Sequence, residues 1–124
     1  SRRARGIPIY AALRTLGRNG VANMIERCCD LTSDFVNRLT ALPGVEVLTV
    51  PIINQGLVRF VDEGGDHDTR TLEIIDRVNQ TGEAWFGPTT WHGMTVMRIS
   101  LSNFRTTAQD IDRAMAVFES VLKD

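Results

Sequence analysis

Apolar residues recur at three- and four-residue steps in the first third of the chain, which is the pattern of amphipathic helices. The pattern predicts one helix over 7–16 and a second over 21–42, which ends before Pro43-Gly44. Gly17 and Gly20 are predicted to separate the two helices. The apolar stripe of the second helix consists of Val21, Met24, Ile25, Cys28, Leu31, Phe35, Leu39 and Leu42.

Apolar and β-branched residues then predict two strands, at 45–50 and 56–61. The run 62–68 is rich in glycine and acidic residues and is predicted to be a loop. A third helix is expected to follow, with Asp66 or Asp68 as its N-cap. Its apolar side carries Leu72, Ile74, Ile75 and Val78.

The next stretch, 83–93, combines aromatic residues with turn residues. We expect a strand at its start and a turn-rich loop from Gly87 to Gly93. A fourth strand is predicted over 95–101. The last helix is expected to begin at a capping box, in which Thr107 is paired with Asp110. Its apolar stripe consists of Ile111, Ala114, Met115, Phe118 and Leu122.

The predicted order of elements is therefore α, α, β, β, α, β, β, α. Strands that are neighbours in the chain can pair as antiparallel hairpins, and amphipathic helices can then cover one face of the sheet. We predict an α+β fold, a two-layer sandwich with a mainly antiparallel four-stranded sheet and helices on one face. The other face, with Val96, Arg98 and Ser100, is predicted to stay open, which is typical of a surface that contacts a partner.

Arg98 is a charged residue in the middle of the fourth predicted strand. A strand arginine is usually exposed or paired with a neighbouring acid. The alternative is a carboxylate clamp, because a planar guanidinium binds a carboxylate through two parallel hydrogen bonds. Periodicity alone leaves both interpretations open.

Composition narrows the class of protein. A chain of 124 residues favours a single domain with its own core. The net charge of -1 favours neither nucleic acid nor an anionic membrane, and no apolar run approaches the roughly 18 residues of a membrane span. Cys28 and Cys29 are the only cysteines, and adjacent cysteines rarely bridge each other. We therefore expect reduced thiols and a cytoplasmic protein.

Common catalytic motifs do not occur in the sequence. It contains no CxxC, HxxxH or HExxH spacing for a metal, no GxSxG elbow, and no GxGxxG or Walker loop. Cys28 lies on an apolar stripe, which favours a buried small hydrophobe over a nucleophile. Trp91 and His92 lie in the predicted loop between two strands, where they either line a pocket or cover the edge of the sheet.

Two motifs carry a resemblance to a known family. The segments SRRARGIPIYAALRTLG near the start and MRISLSNFRTTAQDID near the end resemble the C-terminal part of the pyridoxal-phosphate-dependent group II amino-acid decarboxylases. That family includes the glutamate, aromatic-amino-acid and diaminobutyrate decarboxylases. The resemblance covers essentially the whole chain.

The resemblance implies the aspartate-aminotransferase fold, fold type I, in which a large domain holds pyridoxal 5'-phosphate and a small C-terminal domain closes over it. Residues 1–124 would be this small domain, with 1–20 as a lead-in segment from the large domain. The implied reaction converts an L-amino acid to an amine and carbon dioxide, with the chemistry carried by the cofactor. The cofactor-binding lysine lies upstream in the family, whereas the single lysine here is Lys123. We therefore expect the piece to be inactive alone.

The resemblance also assigns roles to residues and partners. Arg98 matches the family's arginine in the xRxS motif, which implies a ligand for a substrate carboxylate. Trp91 and His92 lie where the family varies and are candidates for substrate selection. Ser100 and Asn103 are expected to shape the end of the strand. The expected partners are an amino-acid substrate, the large domain of the same chain and a second copy in a homodimer, with no nucleic acid and no membrane.

Two other functions remain open at the level of sequence. One is a free-standing α+β module that binds a regulatory ligand. The other is a protein-interaction domain that uses the open face of the sheet. A natural protein without an upstream region that contains the cofactor lysine would favour either of them.

Overall fold

The computed structural model describes residues 6–52, 55–101 and 106–123, with the backbone alone at 6–8 and 50–52. The four strands form one antiparallel sheet in the order β1-β2-β4-β3, and this confirms the predicted fold class. The elements are α1 (Gly6–Thr40), β1 (Val45–Ile52), β2 (Gln55–Phe60), α2 (His67–Gln80), β3 (Gly87–Trp91), β4 (Met94–Ser100) and α3 (Ala108–Leu122).

Element α1 consists of two helical segments that meet at a kink at Gly17, which confirms the predicted separation at this residue. Gly17 has φ 67 and ψ 179, a backbone conformation that glycine adopts without steric cost. Gly20 is helical, so the prediction that it interrupts the helix is wrong. A glycine inside a helix costs only about 1 kcal/mol, which the surrounding turns can offset. In the described ranges no helix is both long and apolar enough to cross a membrane.

The core lies between one face of the sheet and the three helices. Its centre is a cluster of four phenylalanine rings, with centroids 5.4 to 5.9 Å apart. Three of these residues, Phe35, Phe60 and Phe118, have no exposed surface. Such close, mostly tilted or stacked pairs add to the stabilisation that burial provides. The cluster therefore joins α1, β2 and α3 to Phe86, which precedes β3.

Beyond the last residue pair of the ladder between β2 and β4, side chains of α2 form hydrogen bonds with the backbone of Phe60 and Thr95. The hydroxyl of Thr71 accepts a hydrogen bond from the backbone N–H of Phe60 at 3.0 Å and donates one to the carbonyl of Phe60 at 3.3 Å. Asp68 accepts from the backbone N–H of Thr95 at 3.0 Å. Of the two predicted N-caps, Asp66 is the one that caps α2. Asp68 instead connects the helix to the sheet.

The predicted order of strand and loop in 83–91 is wrong, because the strand is its second half, Gly87–Trp91. The side-chain amide of Asn79 donates to the carbonyl of Phe86 and accepts from its backbone N–H, both at 2.9 Å. Phe86 is thus bound to α2 instead of to a strand. His92 and Gly93 then form a two-residue hairpin turn, with φ values of 49 and 77.

The face of the sheet opposite the helices is open at Arg98 and Ser100, as predicted, but not at Val96, which is fully buried. The guanidinium of Arg59 binds Glu46 at 2.9 Å through Nε and reaches the sulfur of Met94 at 3.2 Å through Nη1. Its side chain therefore crosses this face from β2 towards β4. The aliphatic stem of an arginine can cover apolar surface in this way, which explains the burial of Val96.

We expect Phe118→Ala to lower the free energy of unfolding by about 3–5 kcal/mol, because the change removes the ring that three other phenylalanines contact. Urea unfolding followed by circular dichroism measures the loss. Leu72→Ala is the matched control, because 47% of Leu72 is exposed on α2. A loss for Phe118→Ala similar to that of this control would contradict the proposed centre of the core.

The carboxyl groups in two helix caps predict how the free energy of unfolding depends on pH. The hydrogen bond from the Thr69 hydroxyl, followed by that from its backbone N–H, lowers the pKa of Asp66. The backbone N–H of Thr107, followed by its hydroxyl, lowers the pKa of Asp110. A carboxyl group with a lowered folded-state pKa contributes stability that is full above its unfolded pKa of about 3.9. That contribution is lost as the pH falls through the folded pKa.

The double variant Asp66→Asn with Asp110→Asn keeps an acceptor oxygen at each cap but does not titrate. We expect it to lose less stability than the wild type between about pH 4 and pH 2. Urea unfolding at a series of pH values measures the difference. Asp30→Asn, an exposed change on α1, serves as the control. Parallel pH profiles for the wild type and the double variant would refute this origin of the acid sensitivity.

Candidate functional site

A cleft of about 400 Å³ lies at the corner of the sheet where β3 begins. Its walls are the end of β4, the segment 83–87 and the first turns of α3, and Phe35 of α1 forms part of its floor. The volume lies within the range of small-molecule sites, which are concave and mainly apolar with a few polar groups. The cleft is therefore the candidate site.

The pairing of the strands explains why the cleft is open. Gly87, the first residue of β3, pairs with Arg98. Beyond this pair, β4 continues through Ser100 without a hydrogen-bonded partner on the β3 side. The preceding segment, 83–86, is held against α2 by Asn79 instead. This separation of β4 from the incoming chain creates the space.

Arg98 is exposed and projects from the open face of the sheet beside the cleft. Its neighbours in the register are Leu57 on β2 and Gly87 on β3, neither of which carries charge. Within the described part of the chain, the Arg98 side chain has no hydrogen-bond or ion-pair partner. Arg59, on the same face of the sheet, is instead paired with Glu46. Arg98 is thus a guanidinium available to an anionic ligand.

The acidic groups of the cleft do not neutralise Arg98. Asp110 is a charged carboxylate with a lowered pKa, and its oxygens are already in use. Oδ2 accepts from the backbone N–H of Thr107 at 2.8 Å, and Oδ1 accepts from Arg113 at 2.7 Å. Glu83 is exposed on the wall of the cleft. No ion pair between Arg98 and either acid occurs in the described ranges, so the Arg98 guanidinium is not bound directly by a carboxylate there, although Glu83 places a negative charge in the same cleft.

Two aromatic residues that the sequence did not single out line the same cleft. Phe86 stacks on Phe35 with ring centroids 5.6 Å apart. Trp85 is 79% exposed, which is unusual for so large an apolar side chain. In a segment predicted to be a strand, the sequence does not show which of two adjacent aromatic rings faces the core. It therefore gave no clear signal that Trp85 and Phe86 line the cleft.

The structure places Trp91 and His92 away from Arg98. Trp91 ends β3 and is half-buried, and its ring meets the imidazole of His92 edge-on at 4.1 Å. Four residues of strand separate Trp91 from Gly87, or about 13 Å at about 3.3 Å per residue. Neither residue lines the cleft. The three predicted site residues therefore do not form one site in the described chain.

Part of the sequence motif falls outside the structural description. Ser100 is exposed at the end of β4 and lines the cleft. Residues 102–105, which include Asn103, and residues 1–5 lie outside the described residues. The expected role of Asn103 in shaping the strand end therefore stays a prediction.

Comparison with known proteins shows relatives along almost the entire chain. The chain is 25% identical over 122 residues to tyrosine decarboxylase 2 of Arabidopsis thaliana, and the match spans 96% of the chain and 22% of the relative. It is 26% identical over 113 residues to 3,4-dihydroxyphenylacetaldehyde synthase of Aedes aegypti, and that match spans 91% of the chain and 21% of the relative. The chain thus spans about a quarter or less of the curated relatives it matches. No family model matches it.

The fold is also shared with solved structures. A structure of Oryza sativa TDC with PLP and tryptamine superposes with a TM-score of 0.84 at 18% identity. The superposition covers 96% of this chain and 26% of that one. The chain therefore has the fold of the corresponding part of that structure. These findings confirm the resemblance seen in the two sequence motifs: over nearly its whole length the chain is similar to part of a tyrosine decarboxylase and of aldehyde synthases, and it shares the fold of part of a PLP-containing structure.

Proposed function

We propose that the chain forms the small C-terminal domain of a pyridoxal-phosphate-dependent amino-acid decarboxylase, a carboxy-lyase, and that Arg98 binds a carboxylate of the amino-acid substrate. The observation that carries the proposal is the guanidinium of Arg98, which is unpaired among the described residues and lines a cleft of about 400 Å³. The similarity to decarboxylases over nearly the whole chain supports it. The domain would extend over residues 1–124, with 1–20 leading in from the large domain.

The position of Arg98 suits the binding of a carboxylate. β4 is hydrogen-bonded to a strand on each side, to β2 and to β3, so the backbone that carries Arg98 is held firmly. The guanidinium donates two parallel hydrogen bonds to a carboxylate, and the bulk of a ligand in the cleft would exclude water from them. Arg98 would therefore bind and orient the substrate. It would not itself take part in bond breaking.

The geometry of an ion pair also bears on which carboxylate Arg98 binds. Strong binding of the leaving carboxylate would stabilise the ground state and would have to weaken as carbon dioxide departs. A carboxylate that is retained in the product is free of this penalty. In the proposal, residues outside this domain determine which amino acid is bound, and therefore which carboxylate Arg98 binds.

The described residues do not fit the cofactor. Pyridoxal phosphate is held in such enzymes by a lysine, and the only lysine of this sequence, Lys123, is the exposed C-cap of α3. Lys123 does not line the cleft. In the proposal, the cofactor is therefore bound by the large domain, and residues 1–124 alone do not catalyse decarboxylation.

Contacts with the rest of the enzyme are part of the proposal. Three large apolar residues in the first half of α1, Ile9, Tyr10 and Leu13, are 50–63% exposed. Exposed apolar residues of this kind on one helix support contact with a further protein surface. The large domain of the same chain and a homodimer are the proposed partners. The reduced thiols of Cys28 and Cys29 fit a cytoplasmic location.

Substrate selection by Trp91 and His92 stays a prediction. Their place at the far end of the β3–β4 hairpin would require the substrate, or a loop of the large domain, to extend along the open face. A free-standing ligand-binding or interaction module remains the alternative to the decarboxylase. A natural protein that contains only this domain would favour that alternative.

In the enzyme that contains this domain, we expect Arg98→Lys to lower kcat/KM by roughly 10- to 150-fold, because it replaces two parallel hydrogen bonds to a charged group by a point charge. Steady-state kinetics with the amino-acid substrate measures the effect. Arg59→Lys, on the same face of the sheet but outside the cleft, is the matched control. Equal kinetics for the Arg98 variant and the wild type would make Arg98 a structural residue.

A second prediction concerns the cofactor. Purified residues 1–124 mixed with pyridoxal phosphate are expected to show no absorption band of a specifically bound cofactor, and Lys123→Ala is expected to leave the spectrum unchanged. The longer protein is expected to show the band. A stoichiometric band in the 124-residue chain that disappears in Lys123→Ala would show that the domain binds the cofactor itself.

A further inference from the structure

Trp85 combines two properties that rarely occur together. Its side chain is 79% exposed. The next residue, Phe86, is nevertheless held in place, because both its backbone N–H and its carbonyl are hydrogen-bonded. Exposing a tryptophan gives up the apolar burial that a side chain of this size usually provides. The described core does not use the ring, because the core is built from Phe86 on the opposite side of the same segment.

The fixed backbone comes from Asn79 and Phe86 together. The side-chain amide of Asn79 binds both the carbonyl and the backbone N–H of Phe86, each at 2.9 Å. The Phe86 ring is stacked on Phe35 at 5.6 Å and tilted against Phe118 at 5.4 Å. With both the backbone and the ring of Phe86 held, the adjacent Trp85 is directed outwards. Asn79 is therefore a positioning residue for Trp85.

Trp85 and Arg98 line the same cleft. A carboxylate bound by Arg98 would leave the remainder of a small ligand inside about 400 Å³, beside the indole of Trp85. A flat apolar group can stack on an indole ring and remove its exposed face from water. The cleft thus provides one cationic and one aromatic contact for the same molecule.

We infer that Trp85 is a specificity-determining residue of the cleft, which favours ligands that carry a flat apolar group next to the carboxylate bound by Arg98. This inference rests on the proposed function, because it takes the Arg98 carboxylate site as given. An exposed tryptophan could also contact another protein surface. The shared cleft of about 400 Å³ favours a small ligand, because this volume is typical of small-molecule sites.

The test measures binding of two probes to the 124-residue chain, 3-phenylpropionate and propionate, by titration calorimetry or by line broadening in NMR spectra of the probe. Both have one carboxylate, and only the first has a ring. We expect 3-phenylpropionate to bind roughly three- to tenfold more tightly, the range for an aromatic pair. In Trp85→Ala the preference is expected to disappear, with the affinity for propionate unchanged.

Three further variants separate the possible causes. Trp91→Phe is the matched aromatic control and is expected to keep the preference, because Trp91 does not line the cleft. Asn79→Asp keeps an acceptor for the Phe86 N–H but loses the donor to its carbonyl. It is expected to reduce the preference, which is expressed as the ratio of the two affinities because the added charge acts on both carboxylate probes alike. Arg98→Gln is expected to weaken the binding of both probes equally.

The outcomes distinguish this inference from the proposed function. If both probes bind with equal affinity and both depend on Arg98, the carboxylate site stands and the role of Trp85 is overturned. A preference that survives Trp85→Ala also overturns that role. If neither probe binds the wild type, or if Arg98→Gln changes nothing, the inference and the carboxylate site both fail.

Discussion

The packing of four phenylalanine rings is the interaction on which both the fold and the cleft depend. Phe35, Phe60 and Phe118 come from α1, β2 and α3, and Phe86 adds the segment before β3, with all contacting centroids within 6 Å. Phe35 and Phe86 also line the cleft. The contacts that join the two layers therefore form part of the wall of the site. A substitution in this cluster changes stability and cleft shape together, whereas Arg98 at the rim is free of that constraint.

The open face of the sheet carries two arginines that differ in what lies next to them. Arg59 is paired in the register with Glu46, which neutralises it at 2.9 Å. Arg98 is flanked by Leu57 and Gly87, which offer neither charge nor hydrogen-bonding side chains. Solvent stabilises an exposed unpaired guanidinium at little cost, and a carboxylate ligand gains most where it meets no internal competitor. The residues on the adjacent strands thus separate a structurally paired arginine from one that is unpaired among the described residues and is proposed to bind a ligand.

Local signals in the sequence predicted the parts of the fold that depend on few residues. The capping box of Thr107 and Asp110 is present because both partners lie within one turn. The antiparallel pairing of neighbouring strands followed from their order in the chain, and the exposure of Arg98 followed from strand alternation. The start of β3 was not predictable, because it depends on Asn79, seven residues before Phe86, and on a ring cluster drawn from three other elements. The burial of Val96 depends likewise on Arg59 from another strand. The aromatic wall of the candidate site was missed for this reason, since no periodicity shows which ring of an aromatic pair enters the core.

The kink in α1 divides the helix into two halves with different roles. From Cys28 onwards, one side of the helix is buried against the sheet and α3. Before the kink at Gly17, by contrast, Ile9, Tyr10 and Leu13 are exposed, and an apolar groove of about 480 Å³ is lined by residues on both sides of the kink. Apolar surface that stays in water forgoes about 25 cal/mol per Å² of stabilisation. The first half of α1 therefore gains little from the described domain, and contact with a further body of protein would stabilise it. Such a contact is what the proposed large domain would supply.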